Sequence, residues 1–161
     1  MAPTPLEKTK RFSPQGTSKY YWLPTVAAAT MIPTRTEIDA GTDLTNEVAA
    51  VTGWSTTPNQ IDTPDAGSRF VSRVPGSITA DDSSLTFYGS KDGDDVRTFF
   101  SRDMSGFLMF ADAGDEPGKT AEIFPVTVLN VSPVRDITGS FQVVVSFSIT
   151  DDPVTFDIPA S

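Results

Sequence analysis

The sequence predicts a mainly β fold, an antiparallel β-sandwich or barrel-like sheet with one flanking α-helix. Three observations point there. Val and Ile together number 22 against 6 Leu, alongside 21 Thr and 11 Phe; β-branched and aromatic side chains suit a pleated surface, and so little Leu makes a poor helical core. The 11 Gly and 13 Pro are spread along the chain, as turns between short strands require. Near the C-terminus, Phe141, Val143, Val145, Phe147 and Ile149 alternate with Gln142, Val144, Ser146, Ser148 and Thr150. A period of two over that length gives one face to a core and leaves the other wetter.

Length and charge narrow the reading. At 161 residues the chain suits one domain with a sizeable core. It contains no Cys and no His, which excludes a disulfide scaffold, Ser-His-Asp or Cys-His catalysis and any His-based metal site. No apolar run is long enough for a membrane-spanning helix, and the basic N-terminus lacks the apolar stretch of a secretory signal. Residues 1–23 carry four basic residues and one acidic, or +3; the remainder carries 8 basic and 20 acidic, or −12, giving the total of −9. A basic arm thus precedes an acidic body, and an acidic body does not bind nucleic acid tightly.

In chain order, residues 1–18 hold Pro3, Pro5 and Pro14 without apolar periodicity and read as an extended arm, leaving 19–161 as the folded domain. Tyr20 to Leu23 form a first strand stopped by Pro24. Thr36 to Asp39 read as a short strand, Leu44 to Trp54 as another, and Ser55 to Ser68 as a loop. Phe70 to Val74 alternate and stop at Pro75-Gly76, and Ser83 to Ser90 form a strand with Leu85 and Phe87 on one face. Over Asp94 to Met104, the apolar residues Val96, Phe99, Phe100 and Met104 fall on one helical face at i, i+3, i+4 and i+8. This predicts one helix docked on the sheet through those four side chains. Gly106 to Ala111, Thr120 to Ser132 and Ser140 to Thr150 are strands, the last two joined as a long hairpin, and Val154 to Phe156 add a final one.

Constellations that could carry chemistry are weak. Lys91-Asp92-Gly93-Asp94-Asp95 lacks the ligand order of a calcium loop. Asp81-Asp82 are adjacent, whereas glycosidase carboxylates come from separated positions. Tyr20, Tyr21 and Trp22 could stack on a sugar, but a first strand that donates aromatics to the core explains them more simply. The expectation is no catalytic residue, no metal and no cofactor.

The order of segments resembles the major tail tube proteins of long, non-contractile-tailed bacteriophages, particularly those of actinobacterial hosts. The resemblance rests on Tyr20-Tyr21-Trp22-Leu23-Pro24-Thr25 after an arm, Glu37 to Thr45, Gly53-Trp54 and Arg69-Phe70 ahead of Pro75-Gly76. It continues through Asp82 to Tyr88 with Asp92 to Arg97, then Gly106-Phe107-Leu108 and Val145 to Ile149. Together these span about residues 16–152.

The resemblance implies a tail-tube fold whose strands join an inner β-barrel on oligomerisation. Hexameric rings would stack into a hollow tube in the virion tail, assembled in the host cytoplasm. Its partners would be further copies of itself, a tape measure protein in the lumen, tail terminator and tail tip proteins, and double-stranded DNA passing without tight binding. An acidic lumen is expected, with Glu122, Gln142, Ser146, Ser148 and Thr150 as candidate lining and Lys8, Lys10 and Arg11 on an arm that joins rings. The alternatives are a monomeric β-sandwich module that binds carbohydrate or protein, and the inner tube of a contractile injection system.

Overall fold

The computed structural model describes residues 2–161. In chain order its elements are β1 (Lys19–Leu23), α1 (Arg35–Asp39), β2 (Thr42–Asp43), β3 (Val48–Thr52), β4 (Thr56–Thr63), β5 (Ser72–Ala80) and β6 (Ser83–Tyr88). There follow α2 (Val96–Phe99), β7 (Ser105–Ala111), β8 (Thr120–Val134), β9 (Gln142–Ile149) and β10 (Val154–Asp157). Eight strands form one antiparallel sheet in the order β2-β1-β7-β8-β9-β6-β3, with β10 also on β8; β4 and β5 pair separately as a hairpin.

The sheet is curled around one face. Trp22 from β1, Leu108 and Phe110 from β7, Phe124, Val126 and Val128 from β8, Val143, Val145 and Phe147 from β9, and Leu85 and Phe87 from β6 share one core. These are the alternate residues of each strand, as a period of two demands. A smaller core on the opposite face of β1, β7, β8 and β10 joins Leu23, Met109, Ile123 and Phe156 to Ile38 of α1 and to Ile158. The predicted mainly β, antiparallel class is what the chain forms, as a barrel-like sheet left open between β2 and β3. Gly106 is required at its place: a Cβ there would lie 2.3 Å from Cζ2 of Trp22.

Four local expectations are corrected. Residues 36–39 are helical, not extended. Thr34 caps α1, its hydroxyl accepting from the Glu37 N–H at 3.3 Å while the Glu37 carboxylate accepts from the Thr34 N–H at 2.8 Å. That reciprocal pair is a capping box, and the Thr-x-x-Glu signal after Pro33 stands in the sequence. Residues 44–47 are a turn, so the strand read over 44–54 is only β3. Residues 56–63 form β4, and β5 runs through Pro75-Gly76 to Ala80. This hairpin is solvated on both faces, so its apolar alternation is confined to the short stretch Phe70 to Val74, which overlaps the start of β5. Both its strands are edges, where Pro58 and Pro75 are tolerated.

The fourth correction is the helix. α2 is a single turn, four residues long, where eleven were expected. Asp95 caps it, accepting from the Ser90 and Arg97 N–H groups at 3.0 Å each and pairing with the Arg97 guanidinium at 2.7 Å. The turn ends because Phe100 leaves helical geometry (φ −94, ψ 134) and enters the core between Trp22, Phe87 and Phe147, with ring centroids at 5.1, 5.9 and 5.7 Å. Val96 and Phe100 are buried, while Phe99 and Met104 are partly buried against the same core. The four side chains named from helical spacing thus meet the core from a helical turn, an extended residue and a following turn.

Phe100→Ala should lower unfolding stability by about 3–5 kcal/mol, from lost transfer energy plus a cavity, in chemical denaturation of the isolated subunit. An unchanged midpoint would show that the ring is not buried in solution.

Candidate assembly surface

Four strands, β8, β9, β6 and β3, form a continuous sub-sheet with one unpaired edge on each side. β3 pairs only with β6. β8 uses residues 122–127 to pair β7, and its continuation on that side ends with the bonds between Val128 and the residues Asp103 and Met104. Beyond that, 130–134 pair β9 on one side, after an irregularity at Leu129, and, among the described residues, have no backbone partner on the other. A groove runs beside the free edge of β3, bounded by Pro14 to Gly16 and floored by Tyr20, Thr45 and Val48.

The outward face of this sub-sheet follows from register. Thr52, Ser84, Ser146 and Asn130 lie in one row across the four strands; Ala50, Thr86, Val144 and Ser132 form the next; Tyr88, Gln142 and Val134 a third. Ser148 lies opposite Thr127, and Thr127 opposite Ser105. No residue in these rows carries a charge itself, while the Arg102 guanidinium donates to Oδ1 of Asn130 at 3.4 Å. Their neighbours on the same strands, Leu85, Phe87, Val143, Val145 and Phe147, are buried.

The predicted lining residues therefore separate. Gln142, Ser146 and Ser148 share the outward face. Thr150 lies just beyond β9, its N–H and hydroxyl both donating to the Pro125 carbonyl. Glu122 is elsewhere: it shares its face of β8 with Phe124 and Val126 and stands opposite Phe110 and Thr155, half-buried. Burial raises its carboxyl pKa first, and the charge of Asp112 adds to the rise. Burial also raises Asp112. Glu122 belongs to one end of the sheet, where Asp81 and Asp82 precede β6, Asp112 follows β7, and Asp151 and Asp152 follow β9.

The arm residues Lys8, Lys10 and Arg11 are exposed, in a stretch from 2 to 13 without helix or strand. Sequence reasoning missed a second projection. The β4–β5 hairpin exposes Ile61, Phe70, Val74 and Ile78, with Phe70 78% accessible. Its signals in the sequence were the turn residues, Pro64 to Ser68, and the alternation over Phe70 to Val74, with none for β4. The aromatics that might have held a sugar are committed elsewhere. Trp22 is buried, Tyr20 stacks edge-on against Phe110 at 5.4 Å, and the Tyr21 hydroxyl donates to Asp115 at 3.0 Å. Burial, and then that bond, raise the Tyr21 pKa. Asp115 is held below the usual carboxylate range by the Arg35 guanidinium at 2.6 Å, which ties α1 to the 112–118 loop. Among the described residues no cluster of three acidic side chains is placed to hold a metal ion, and no helix is long and apolar enough to cross a membrane.

An open, curled antiparallel sheet with two free edges and projecting segments has the form of an assembly subunit. Residues 6–160 match the family described as "Phage tail tube protein", and the chain belongs to that family. It is a structural component of the phage virion tail. Among solved structures it is similar to a chain of the anti-feeding prophage baseplate solved by cryo-EM, at 9% identity and TM-score 0.58, over 99% of this chain and 100% of that one. It also aligns with the SPP1 Dit protein (18% identity, TM-score 0.42, 83% of this chain and 50% of that one) and with an Hcp protein (9%, 0.36, 90% and 99%). The first likeness supports the fold; the other two carry no argument. No curated protein matches the chain in sequence.

The raised pKa of Glu122 has a definite sign. A carboxyl whose folded pKa exceeds its unfolded value contributes stability below the unfolded value and loses it as pH rises through the folded one. Glu122→Gln should therefore raise the urea midpoint of the free subunit at pH 7, relative to wild type. The difference should vanish below about pH 4, the unfolded carboxyl range. A variant less stable at pH 7 would mean that Glu122 has a favourable partner in the subunit.

Proposed function

We infer that copies of this chain close into rings of six by pairing the free edge of β3 in one copy with residues 129–134 of β8 in the next. The observation that carries this is the pair of open edges on one continuous sub-sheet. An open edge invites another strand, and natural sheets normally blunt it with charge, bulges or cover. Here each edge strand has one irregularity, between Val48 and Ala50 and between Val128 and Asn130. Neither strand places a charged side chain on its free edge. Edge-to-edge closure leaves no edge exposed.

Rings so formed stack into a tube whose lumen holds the tape measure protein during assembly and passes double-stranded DNA on ejection. Residues 1–18 act as an arm, with Lys8, Lys10 and Arg11 meeting the acidic end of a neighbouring ring. The exposed apolar residues of the β4–β5 hairpin bury themselves against the next ring. Terminator and tip proteins cap the two ends, assembly takes place in the host cytoplasm, and the role involves no catalysis. Less supports the sugar-binding alternative, because Trp22 is buried and Tyr21 is bonded to Asp115, which leaves Tyr20 alone at the floor of a groove.

Leu129→Lys places a charge at the free edge of β8, where the wild-type side chain is 52% accessible. The variant should fold with a near-wild-type melting temperature yet sediment as a monomer under conditions where wild type forms rings or tubes in negative stain. Wild type that stays monomeric at high concentration would remove the ring reading. Deleting residues 1–18 should leave rings that do not lengthen into tubes; normal tubes would show that the arm has no part in stacking.

A further inference from the structure

The β4–β5 hairpin leaves the body with no core of its own. No residue of β4 or β5 is buried, and neither strand pairs with any strand but the other. A cleft lies beside its root, lined by Thr56, Ile78 and Ala80 of the hairpin and by Ile149 to Asp152 at the end of β9. A two-stranded ribbon without a core is marginal in water, and an open cleft gives it room to swing. Yet this ribbon exposes Ile61, Phe70, Val74 and Ile78. Such side chains serve a partner best when the ribbon already stands at the right angle.

The root is built in two tiers. The lower tier belongs to the body. Gly53 and Trp54 take left-handed backbone, and the two chain segments pass so closely that a Cβ on Gly53 would lie 2.3 Å from the Asp82 carbonyl oxygen. The Trp54 indole packs on Phe110, Phe124 and Phe147, while its backbone N–H donates to the Ser83 hydroxyl at 3.0 Å. Ser83 is buried, and its hydroxyl donates to the Asp81 carbonyl at 2.9 Å.

The upper tier is Asp81 itself. Its N–H donates to the Ser55 carbonyl at 2.9 Å. Its carboxylate accepts from the Ser55 hydroxyl on Oδ2 and from the Thr57 hydroxyl on Oδ1, the latter at 3.0 Å. These two hydroxyls, Ser55 foremost, hold the carboxyl below the usual carboxylate range. Ser55 and Thr57 flank Thr56, which pairs with Ala80 at the first rung of the hairpin. One side chain therefore grips the opposite strand on both sides of that rung. Asp82, next in the chain, has a side chain that is not bonded to the hairpin.

We propose that Asp81 is a positioning residue: its carboxylate clasps the root of the β4–β5 hairpin and presets the angle at which the hairpin projects from the body. A swing about Ser55 and Asp82 would part the two hydroxyls from the carboxylate. The relay through Ser83 to Trp54 ties the same residue to the core. A bond to a charged acceptor is stronger than one between neutral groups, and presetting lowers the ordering cost at the moment of docking. That the docked partner is the next ring rests on the stacking role proposed above; the clasp itself does not.

The chain contains no Cys, so Ala66→Cys at the hairpin tip and Thr155→Cys on β10, both exposed positions, provide two unique spin-label sites. Doubly labelled full-length chains are diluted into unlabelled ones, and the distance between labels in the free subunit is read by pulsed electron paramagnetic resonance. With Asp81 in place the distance distribution should be single and narrow. Asp81→Ala should broaden it roughly twofold or more, because a two-stranded ribbon has little else to fix its angle. Ser55→Ala combined with Thr57→Val removes the same bonds from the other strand and should broaden it equally. Asp82→Ala removes the neighbouring charge and no clasp bond, and should leave it narrow.

A broad distribution with Asp81 in place, or an Asp81→Ala distribution as narrow as wild type, would overturn the clasp. Equal broadening in Asp82→Ala would do the same, by tracing the effect to the charge of the connection. If Asp81→Ala does not fold, the combined Ser55 and Thr57 variant decides by the same criterion. The partner is read separately, by negative stain of rings and tubes over time. Asp81→Ala rings should lengthen into tubes more slowly than wild type, and an unchanged rate would overturn the use of the clasp in assembly. Failure of wild type to form rings or tubes would remove the stacking role and leave the distance measurement to decide the clasp.

Discussion

A chain of aromatic rings inside the curled sheet holds the rest of the structure in place. Trp22 lies against Phe100 at 5.1 Å and Phe147 at 6.4 Å; Trp54 reaches Phe147, Phe124 and Phe110 at 5.0–5.5 Å. These rings come from β1, β7, β8, β9 and the two segments that leave the sheet, 53–55 and 96–104. A flat sheet could not bring β1 and β9 close enough for Trp22 to meet Phe147, so filling this core requires curl. Twist and local bulges supply it. Gly53 and Trp54 both take left-handed backbone (φ 83 and 66), turning the chain inward after β3 so that the indole enters the core and the hairpin leaves it. The indole N–H of Trp54 donates to the Ser84 carbonyl at 3.1 Å, whereas that of Trp22 is buried with no partner among the described residues, a loss the packing around it must offset.

Curl that fills a core need not close the sheet. Here the curling brings β2 and β3, consecutive in sequence, to opposite ends of the strand order and leaves β3 unpaired on its outer side. At the same time β8, fifteen residues long, outruns β7 and leaves residues 130–134 half-paired. Both openings lie on the same sub-sheet. The features by which this tail tube protein can join its copies are thus by-products of the way one chain encloses its aromatics.

Electrostatics follows the same division. Ion pairs that matter within the subunit fasten the covering segments. Asp95 with Arg97 holds the α2 turn, and Arg97 in turn lies 5.1 Å over the Phe141 ring on the β8–β9 hairpin. Arg35 with Asp115 and Asp39 holds α1 over the second core. Among the carboxylates outside these pairs, Glu122 and Asp112 lie together at one end of the sheet, where burial raises the pKa of both.

Strong period-two segments were legible in the sequence. β6 and β9 alternate between a core and an outer face, and that pattern located Leu85, Phe87, Val143, Val145 and Phe147 as buried, whereas β7 and the first half of β8 are buried on both faces. The apolar set Val96, Phe99, Phe100 and Met104 was legible as well, because burial is fixed by side-chain chemistry. Its backbone was not. Only the aromatic cluster decides that Phe100 breaks the helix, since its ring gains more from the core than one further helical turn could give. β4 was invisible and β5 legible only through the alternation of Phe70 to Val74, because a hairpin wet on both faces has little periodicity to read, and α1 was masked by β-branched neighbours although its capping box was present. The facing of Glu122 needed the structure too: its place within a strand is a matter of sequence, but which way it points depends on the register that sets it opposite Phe110, on the same face as Phe124. Open edges are likewise a property of strand pairing. The sequence by itself determined which residues are buried, and tertiary pairing decided which edges and faces remain for other molecules.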